Sequence, residues 1–233
     1  MIYNIADLIV DMESFGTTLQ RAEKYLYNGP REPDFELISN WPDKKAEFPN
    51  VIDDAGEYMS IGAVFYNHLL RYNGLMLHSS AVVVDGKAYL FTANSGVGKS
   101  THTSLWQELL GDKAYILNDD KPAIRLYDGK WYAYGTPWSG KHDISENKRV
   151  EIGGIAVVTR GKENRIERFG GVAAVSEIFR QINRPKSPNA RTIILDLLNK
   201  LFSDIPVWRL ECNTDIEAAK VSYKAMSGEA KSI

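Results

Sequence analysis

The stretch richest in chemistry is Ala93-Asn94-Ser95-Gly96-Val97-Gly98-Lys99-Ser100. Gly96 and Gly98 let the backbone bend so that successive N–H groups point inward, as phosphate oxygens require. Lys99 then brings a positive charge to the β- and γ-phosphates, and Ser100 a hydroxyl for Mg²⁺. This is the spacing of a P-loop, with Ala93 where the consensus has its first glycine. A methyl fits there if the position needs no positive φ. A helix starting at this point would add unpaired N–H groups and the positive end of its dipole.

Nineteen residues after Ser100 stand Asp119 and Asp120, at the end of the apolar run Ala114-Tyr-Ile-Leu-Asn118. Phosphoryl transfer needs a cation on the phosphate oxygens and a group to take the acceptor's proton, and two carboxylates could divide these tasks. Neighbouring strand residues face opposite ways, so both serve one site only if the strand has ended. Lys121-Pro122 suggests that it has. Taken alone, the pair would also suit a solvated turn. His78 precedes a strand-like run, and a lone histidine is more often a satisfied structural group. His68 and His102 lie on helical patterns and read as structural. Gly135-Thr-Pro-Trp-Ser-Gly-Lys-His142 reads as a formed loop carrying Thr136, Ser139, Lys141 and His142. Trp41 and Trp138 either stack on a ring or fill a core. No Ser-His-Asp order or metal-type histidine spacing competes.

The elements that must position these groups follow from pattern. Asp85-Gly86 sits between Ala81–Val84 and Ala88–Phe91, and Asp128-Gly129 between Ala123–Tyr127 and Trp131–Tyr134. Both are hairpin signals, because both turn residues need φ > 0. A helix is expected over Ser100–Leu110, with Gly111 just beyond its end. Earlier come a strand-like start (Tyr3–Met12), a helix (Thr17–Tyr27), a proline-rich segment (Asn28–Asp54) with a strand at Phe35–Ser39, and a helix over Tyr58–Tyr72. Later come strands at Gly154–Thr159, Arg165–Phe169 and Pro206–Glu211, and helices at Val172–Ile182 and Arg191–Phe202. A final helix is expected from Thr214, through a Thr214-x-x-Glu217 capping box. This order predicts an α/β fold, a P-loop-containing mixed sheet with flanking helices. Residues 1–73 form an N-terminal annex that, with the Gly135–His142 loop, shapes an acceptor pocket; residues 74–233 form the catalytic domain.

Composition excludes other classes. The 233 residues are 44% hydrophobic and 25% charged, an ordinary globular balance. Lys plus Arg number 28 and Asp plus Glu 30, so no global field attracts nucleic acid or anionic lipid. The one cysteine, Cys212, precludes an intramolecular disulfide and a multi-cysteine zinc cluster, and reads as a small buried hydrophobe in a reducing compartment. With neither a signal peptide nor an apolar membrane span, the expected location is cytoplasmic.

His78, the first hairpin, Ala93–Ser100 and Asp119-Asp120 together resemble the C-terminal catalytic domain of bacterial HPr kinase/phosphorylase. The Leu-His-Ser-Ser-Ala, Asn-Asp-Asp-Lys-Pro, Gly-Thr-Pro-Trp-Ser-Gly-Lys and Val-Trp-Arg-Leu-Glu-Cys stretches are similar to the smaller HPr kinase-like proteins, lasso-peptide serine kinases among them. The resemblance covers roughly Leu75 to Met226. It implies a phosphoenolpyruvate carboxykinase-like fold, with ATP and Mg²⁺ as cofactors. Ser95, Gly96, Val97, Gly98, Lys99, Ser100 and Thr101 would cradle the phosphates, and Ser100 and Asp120 would approach Mg²⁺. Asp119 would be the general base, and His78 would orient or neutralise the pair. Glu151 and Asp143 are candidates for a further acidic ligand. Apart from the resemblance, the Gly135–His142 loop follows the second hairpin directly, and its polar Ser139, Lys141 and His142 are the expected acceptor contacts.

The leading expectation is a kinase acting on a hydroxyl, serine above all, of a peptide, protein or small molecule. The nucleotide and that acceptor are then its partners, together with self-association as in relatives. A phosphotransferase using pyrophosphate or phosphate, and a non-catalytic nucleotide-binding regulator, are the alternatives. Lys99→Ala is expected to weaken ATP·Mg binding roughly tenfold to a hundredfold, since charged hydrogen bonds contribute about 1.5–3 kcal/mol each. Calorimetry that finds the affinity unchanged would show that the motif holds no nucleotide.

Overall fold

The computed structural model describes residues 1–185 and 187–228. The chain opens with β1 (Ile2–Ile5) and β2 (Leu8–Met12), α1 (Gly16–Ala22), β3 (Phe35–Leu37), the single turn α2 (Trp41–Lys44) and α3 (Asp53–Leu69). Strands β4 (Gly74–Met76), β5 (Ser79–Val84) and β6 (Lys87–Thr92) lead into α4 (Lys99–Leu110). Then come β7 (Ala114–Asn118), β8 (Ala123–Tyr127), β9 (Lys130–Tyr134), β10 (Arg149–Arg160) and β11 (Arg165–Arg168). Helices α5 (Gly171–Phe179) and α6 (Pro188–Asp204), strand β12 (Val207–Cys212) and helix α7 (Ile216–Ser227) complete the described chain.

The large sheet runs β4-β8-β9-β10-β6-β5-β7, with β12 on β10 and β11 on β12. It is mixed: β10 is parallel to β6 and β12, whereas β5 is antiparallel to both β6 and β7. Period-two alternation covers both faces. Ala81, Val83, Ala88 and Leu90 pack with Ile178 of α5 and Ile194 and Leu198 of α6. Val82, Val84, Tyr89 and Phe91 pack on the other face with Trp106 of α4 and Tyr223 of α7. A third cluster joins Tyr3, Ile5, Ile61 and Phe65 to Ala123, Tyr134 and Trp138.

Both Asp-Gly hairpins form, with φ of 50° and 73° at Asp85 and Gly86 and 48° and 74° at Asp128 and Gly129. Elsewhere the elements depart from expectation. The strand-like start is a hairpin, because Ala6 and Asp7 take φ of 56° and 61° with no glycine to announce the turn. Helix α3 begins five residues before the expected Tyr58, at Asp53. Strand β10 is twice as long as expected and shares one edge between β9 and β12. Gly153 and Gly154 interrupt its hydrophobic pattern because side chains cross there. A Cβ on Gly154 would lie 2.3 Å from the Trp208 ring, and one on Gly153 2.8 Å from Tyr89. The Thr214–Glu217 capping box does not form. Asn213 accepts the Asp215 N–H (3.0 Å) and donates to its carboxylate (2.9 Å), so Asp215 precedes the helix, without a side-chain cap bond.

His102 is structural, as expected. It is buried, its Nε2 lies 2.8 Å from Ser222 Oγ, and its ring packs on Phe91 at 4.6 Å. Burial pushes its imidazole down to about 4. The unfolded chain therefore takes up a proton near pH 6.5 that the folded chain refuses until about pH 4, so stability falls as pH drops through that window. Urea unfolding at pH 4.5 should show about 2–3 kcal/mol less stability from this group than at pH 7. His102→Gln should flatten that part of the pH dependence; an unaltered slope in the variant would assign it elsewhere.

Candidate functional site

Strand direction assembles the site. With β6, β7, β10 and β12 pointing one way and β5 the other, the beginning of β5 meets the ends of the other four. His78 before β5, the loop after β6, Asp119-Asp120 after β7, Arg160 at the end of β10 and Asn213 after β12 all line one cavity of about 1380 Å³.

The loop between β6 and α4 has the backbone that its glycines permit. Gly96 has φ of 79° and Gly98 φ of 123°, and a Cβ at either would meet no atom within 4 Å, so it is conformation rather than crowding that favours glycine. The first α4 bond runs from His102 N–H to the Gly98 carbonyl at 2.9 Å. The amides of Gly98, Lys99, Ser100 and Thr101 thus precede the helix ladder, in the position of an N-terminal anion site. Arg160 reaches back from β10 and donates to the carbonyls of Gly96 and Val97, the latter at 3.1 Å. The Ser100 hydroxyl has no protein partner among the described residues. This donor set fits a nucleotide's phosphates and a divalent cation.

Lys99 is buried, 8% exposed, and donates to the Ala93 carbonyl at 3.2 Å. Burial pushes its ammonium down, against the opposing pull of Asp120 and Asp119. Its Nζ lies 3.1 Å from His78 Nε2, which lies 3.1 Å from Asp120 Oδ1. On the ring's other side, Nδ1 faces Gln181 Oε1 at 3.3 Å, while Gln181 Nε2 donates to Asn94 Oδ1 at 2.8 Å. Nδ1 is therefore the ring's standing donor. Nε2 accepts from Lys99 in the neutral ring and donates to Asp120 in the imidazolium. One ring nitrogen thus sits between a cation and a carboxylate.

The two aspartates differ. Asp119 is 8% exposed, and its Oδ1 accepts from Ser80 Oγ at 2.7 Å; Ser80 in turn lies 2.7 Å from Thr103 Oγ1. Asp120 is less buried and is held by His78 and Lys121. Burial would raise its pKa, but the His78 hydrogen bond and the Lys121 charge outweigh it and bring the carboxyl down to about 2.

The cavity gathers His78, Ser95–Thr101, Asp119, Asp120, Lys141 and His142. Ser139 is not among its lining groups: it is fully buried, and its hydroxyl donates to Asp143 at 2.8 Å. Glu151 pairs with Lys87 and Lys130 at the start of β10, the opposite end of the sheet, and Asp143 faces Lys24 (3.6 Å) and Arg21, outside the cavity lining. Neither lines the cavity. No group of three or more His, Cys, Asp or Glu side chains with metal-site geometry occurs among the described residues. The Asn28–Asp54 segment contributes nothing to the lining. Trp41 and Trp138 are buried; Trp138 stacks on Phe65 at 5.0 Å. Cys212 is buried in β12, and burial pushes its thiol up to about 11. Sequence reasoning missed Ser80, Arg160 and Gln181. The first was within reach, because Ser80 shares a face with Val82 and Val84, the face that α4 covers.

No protein-family model matches the chain, and no curated protein does. Among solved structures, the chain is similar to the Hpr(Ser) kinase/phosphatase from Coxiella burnetii, with a TM-score of 0.37 and 9% identity over 66% of this chain and 94% of that one. A likeness this distant carries no weight for fold or function. No helix among the described residues is long and apolar enough to cross a membrane.

Gly98→Ala tests the loop without touching a charge. Its methyl meets no atom, so the cost is backbone strain at φ of 123°, about 1–2 kcal/mol. Thermal unfolding should report that loss. Calorimetry should report weaker ATP·Mg binding, because relief of the strain turns amides away from the cavity. Wild-type values in both would remove the loop's conformation from the site.

Proposed function

We propose that the chain is an ATP- and Mg²⁺-dependent kinase that transfers the γ-phosphoryl group to a hydroxyl, serine being the favoured acceptor. The observation carrying this reading is the shared cavity: the glycine loop and Lys99 open into the same space as His78, Asp119 and Asp120. A sensor needs the cradle alone, whereas transfer also needs carboxylates beside it.

Ser95–Thr101 would hold the phosphates, and Ser100 and Asp120 the cation. Mg²⁺, when bound, would neutralise charge on the transferring group. Asp120, held at about 2, is a weak proton acceptor near neutrality and a strong ligand for a cation. Asp119 commits Oδ1 to Ser80, and its other oxygen has no protein partner among the described residues. That oxygen takes the acceptor's proton. Lys99, desolvated and held by a carbonyl and a ring nitrogen, offers its charge to an anion in the loop. His78 keeps Asp120 oriented. ADP release from ATP·Mg that requires an added hydroxyl compound is the defining test; tight ATP·Mg binding without transfer to any acceptor would favour the sensor.

The aspartates should fail differently. Asp120→Asn should lower both Mg²⁺ affinity and turnover. Asp119→Asn should spare or tighten ATP·Mg binding and slow single-turnover transfer, at the low end of the roughly 10²–10⁴ range for general bases, because a loose transition state develops little charge on the acceptor early. Equal losses of metal affinity in both variants would show that the pair binds metal jointly.

A further inference from the structure

The charge around the cavity exceeds what its carboxylates balance. Lys99, Lys121, Lys141, Arg160, Arg180 and Arg184 line it, six cations against the two carboxylates Asp119 and Asp120. This is local, since the chain as a whole carries a formal charge of −2. Four of the six have identifiable work. Lys99 belongs to the loop, Arg160 holds the Gly96 and Val97 carbonyls, Lys121 pairs with Asp120, and Arg180 lies 3.4 Å from Glu177. Lys141 and Arg184 have no acidic partner among the described residues; Arg184 lies over the Phe179 ring, 5.8 Å from its centroid, a contact that leaves its charge unbalanced.

Their positions are specific. The backbone carrying Lys141 presses on Asp120: a Cβ on Gly140 would lie 2.9 Å from the Asp120 Cβ. The segment carrying Arg184 presses on His78: the His78 N–H donates to the Gln181 carbonyl at 2.8 Å, and Leu77 bridges Ile182. The two cations therefore ride on two separate segments that abut the Asp120–His78 pair, and neither segment belongs to the phosphate loop. The loop already has its own amides, Lys99 and Arg160. Cations without a carboxylate partner on the walls of a cavity concentrate anions there.

We infer that the acceptor is itself anionic: its hydroxyl lies close to a carboxylate or phosphate group, which Lys141 and Arg184 bind while the hydroxyl faces Asp119. This rests on the kinase reading, and it narrows the acceptor class to acidic hydroxyl compounds, whether small molecules or segments of acidic peptide. Charge-assisted bonds of this kind set orientation as well as affinity. They would hold a hydroxyl beside the base without any contact to the rest of the acceptor.

The test uses the full chain loaded with a non-hydrolysable ATP analogue and Mg²⁺, so that the γ-phosphate position is filled. Binding of glycerol, glycerate and glycerol 3-phosphate is compared by calorimetry, alongside a serine peptide flanked by glycine and one flanked by glutamate. At least one anionic probe should bind tenfold or more tightly than its neutral counterpart. Lys141→Glu and Arg184→Glu should each erase most of that preference. The small and peptide arms distinguish the two sources of the anion. Equal binding of charged and neutral probes, undetectable binding of both included, would overturn the inference, as would a preference that survives both reversals. Affinity for the analogue, measured in the same samples, keeps the two levels apart. If the analogue itself does not bind, the nucleotide reading fails; if it binds and the anion preference is missing, only the acceptor class fails.

Discussion

The site depends on the direction of one strand. Hydrogen bonding places β5 antiparallel between β6 and β7, and all six of its side chains are buried. A parallel sheet gathers the ends of its strands at one edge, and loops leaving that edge make the binding site. Here the inserted strand brings a beginning to that edge as well. His78 and Ser80 therefore reach the phosphate loop and the aspartates without a crossover connection. The tight Asp85-Gly86 turn enforces this, since two residues at positive φ leave β6 no choice but to return along β5.

Electrostatics then ties these ends together. Lys99, His78 and Asp120 form a chain at 3.1 Å spacing, and burial works against both of its charged ends. Such a chain holds only if each member lowers the cost of its neighbour's charge. Gln181 fixes the ring from behind and joins it to Asn94 at the start of the phosphate loop. Ser80 and Thr103 likewise join Asp119 to the first turns of α4. The carboxylates and the loop are thus positioned by shared hydrogen bonds, so a shift in the loop reaches both aspartates.

How much of this was legible in the sequence follows from which signals are local. The two hairpins, the loop and α4 are written in adjacent residues, Asp-Gly pairs and Gly-x-Gly-Lys-Ser, whose backbone demands are strong wherever they occur. The convergence of His78 with Asp120 is not local, and the resemblance to known kinases suggested it before geometry could. What escaped depends on tertiary context. Ala6 and Asp7 turn because the hairpin around them is buried in the third cluster. Gly153 and Gly154 serve rings from other strands. The helix expected to reach Ile182 stops at Phe179 because Gln181 and Ile182 are drawn onto His78 and Leu77. Ser139, polar in a polar loop, turns inward to Asp143.

The first 73 residues act on the cavity through the loop that they support. None of them lines it, yet they form the seat of the 135–145 segment. Trp138 lies against Gly62, where a Cβ would come within 2.6 Å of its Nε1, and donates to the Tyr58 carbonyl at 3.1 Å. Tyr66 donates to the Lys121 carbonyl at 2.5 Å and meets Thr136 at 3.0 Å. Lys24 and Tyr25 hold Ser145. Together these contacts hold the chain on either side of Lys141 and next to Asp120, through the Lys121 and Ser145 carbonyls and through the side chains of Thr136, Trp138 and Ser145, while Lys141 itself remains exposed. A cation on a flexible stem loses little by staying in water, whereas a wandering backbone would lose its register with the aspartates. The half-buried Tyr58 and the buried Phe65 and Tyr66 therefore have a bearing on the proposed chemistry that their absence from the cavity lining conceals.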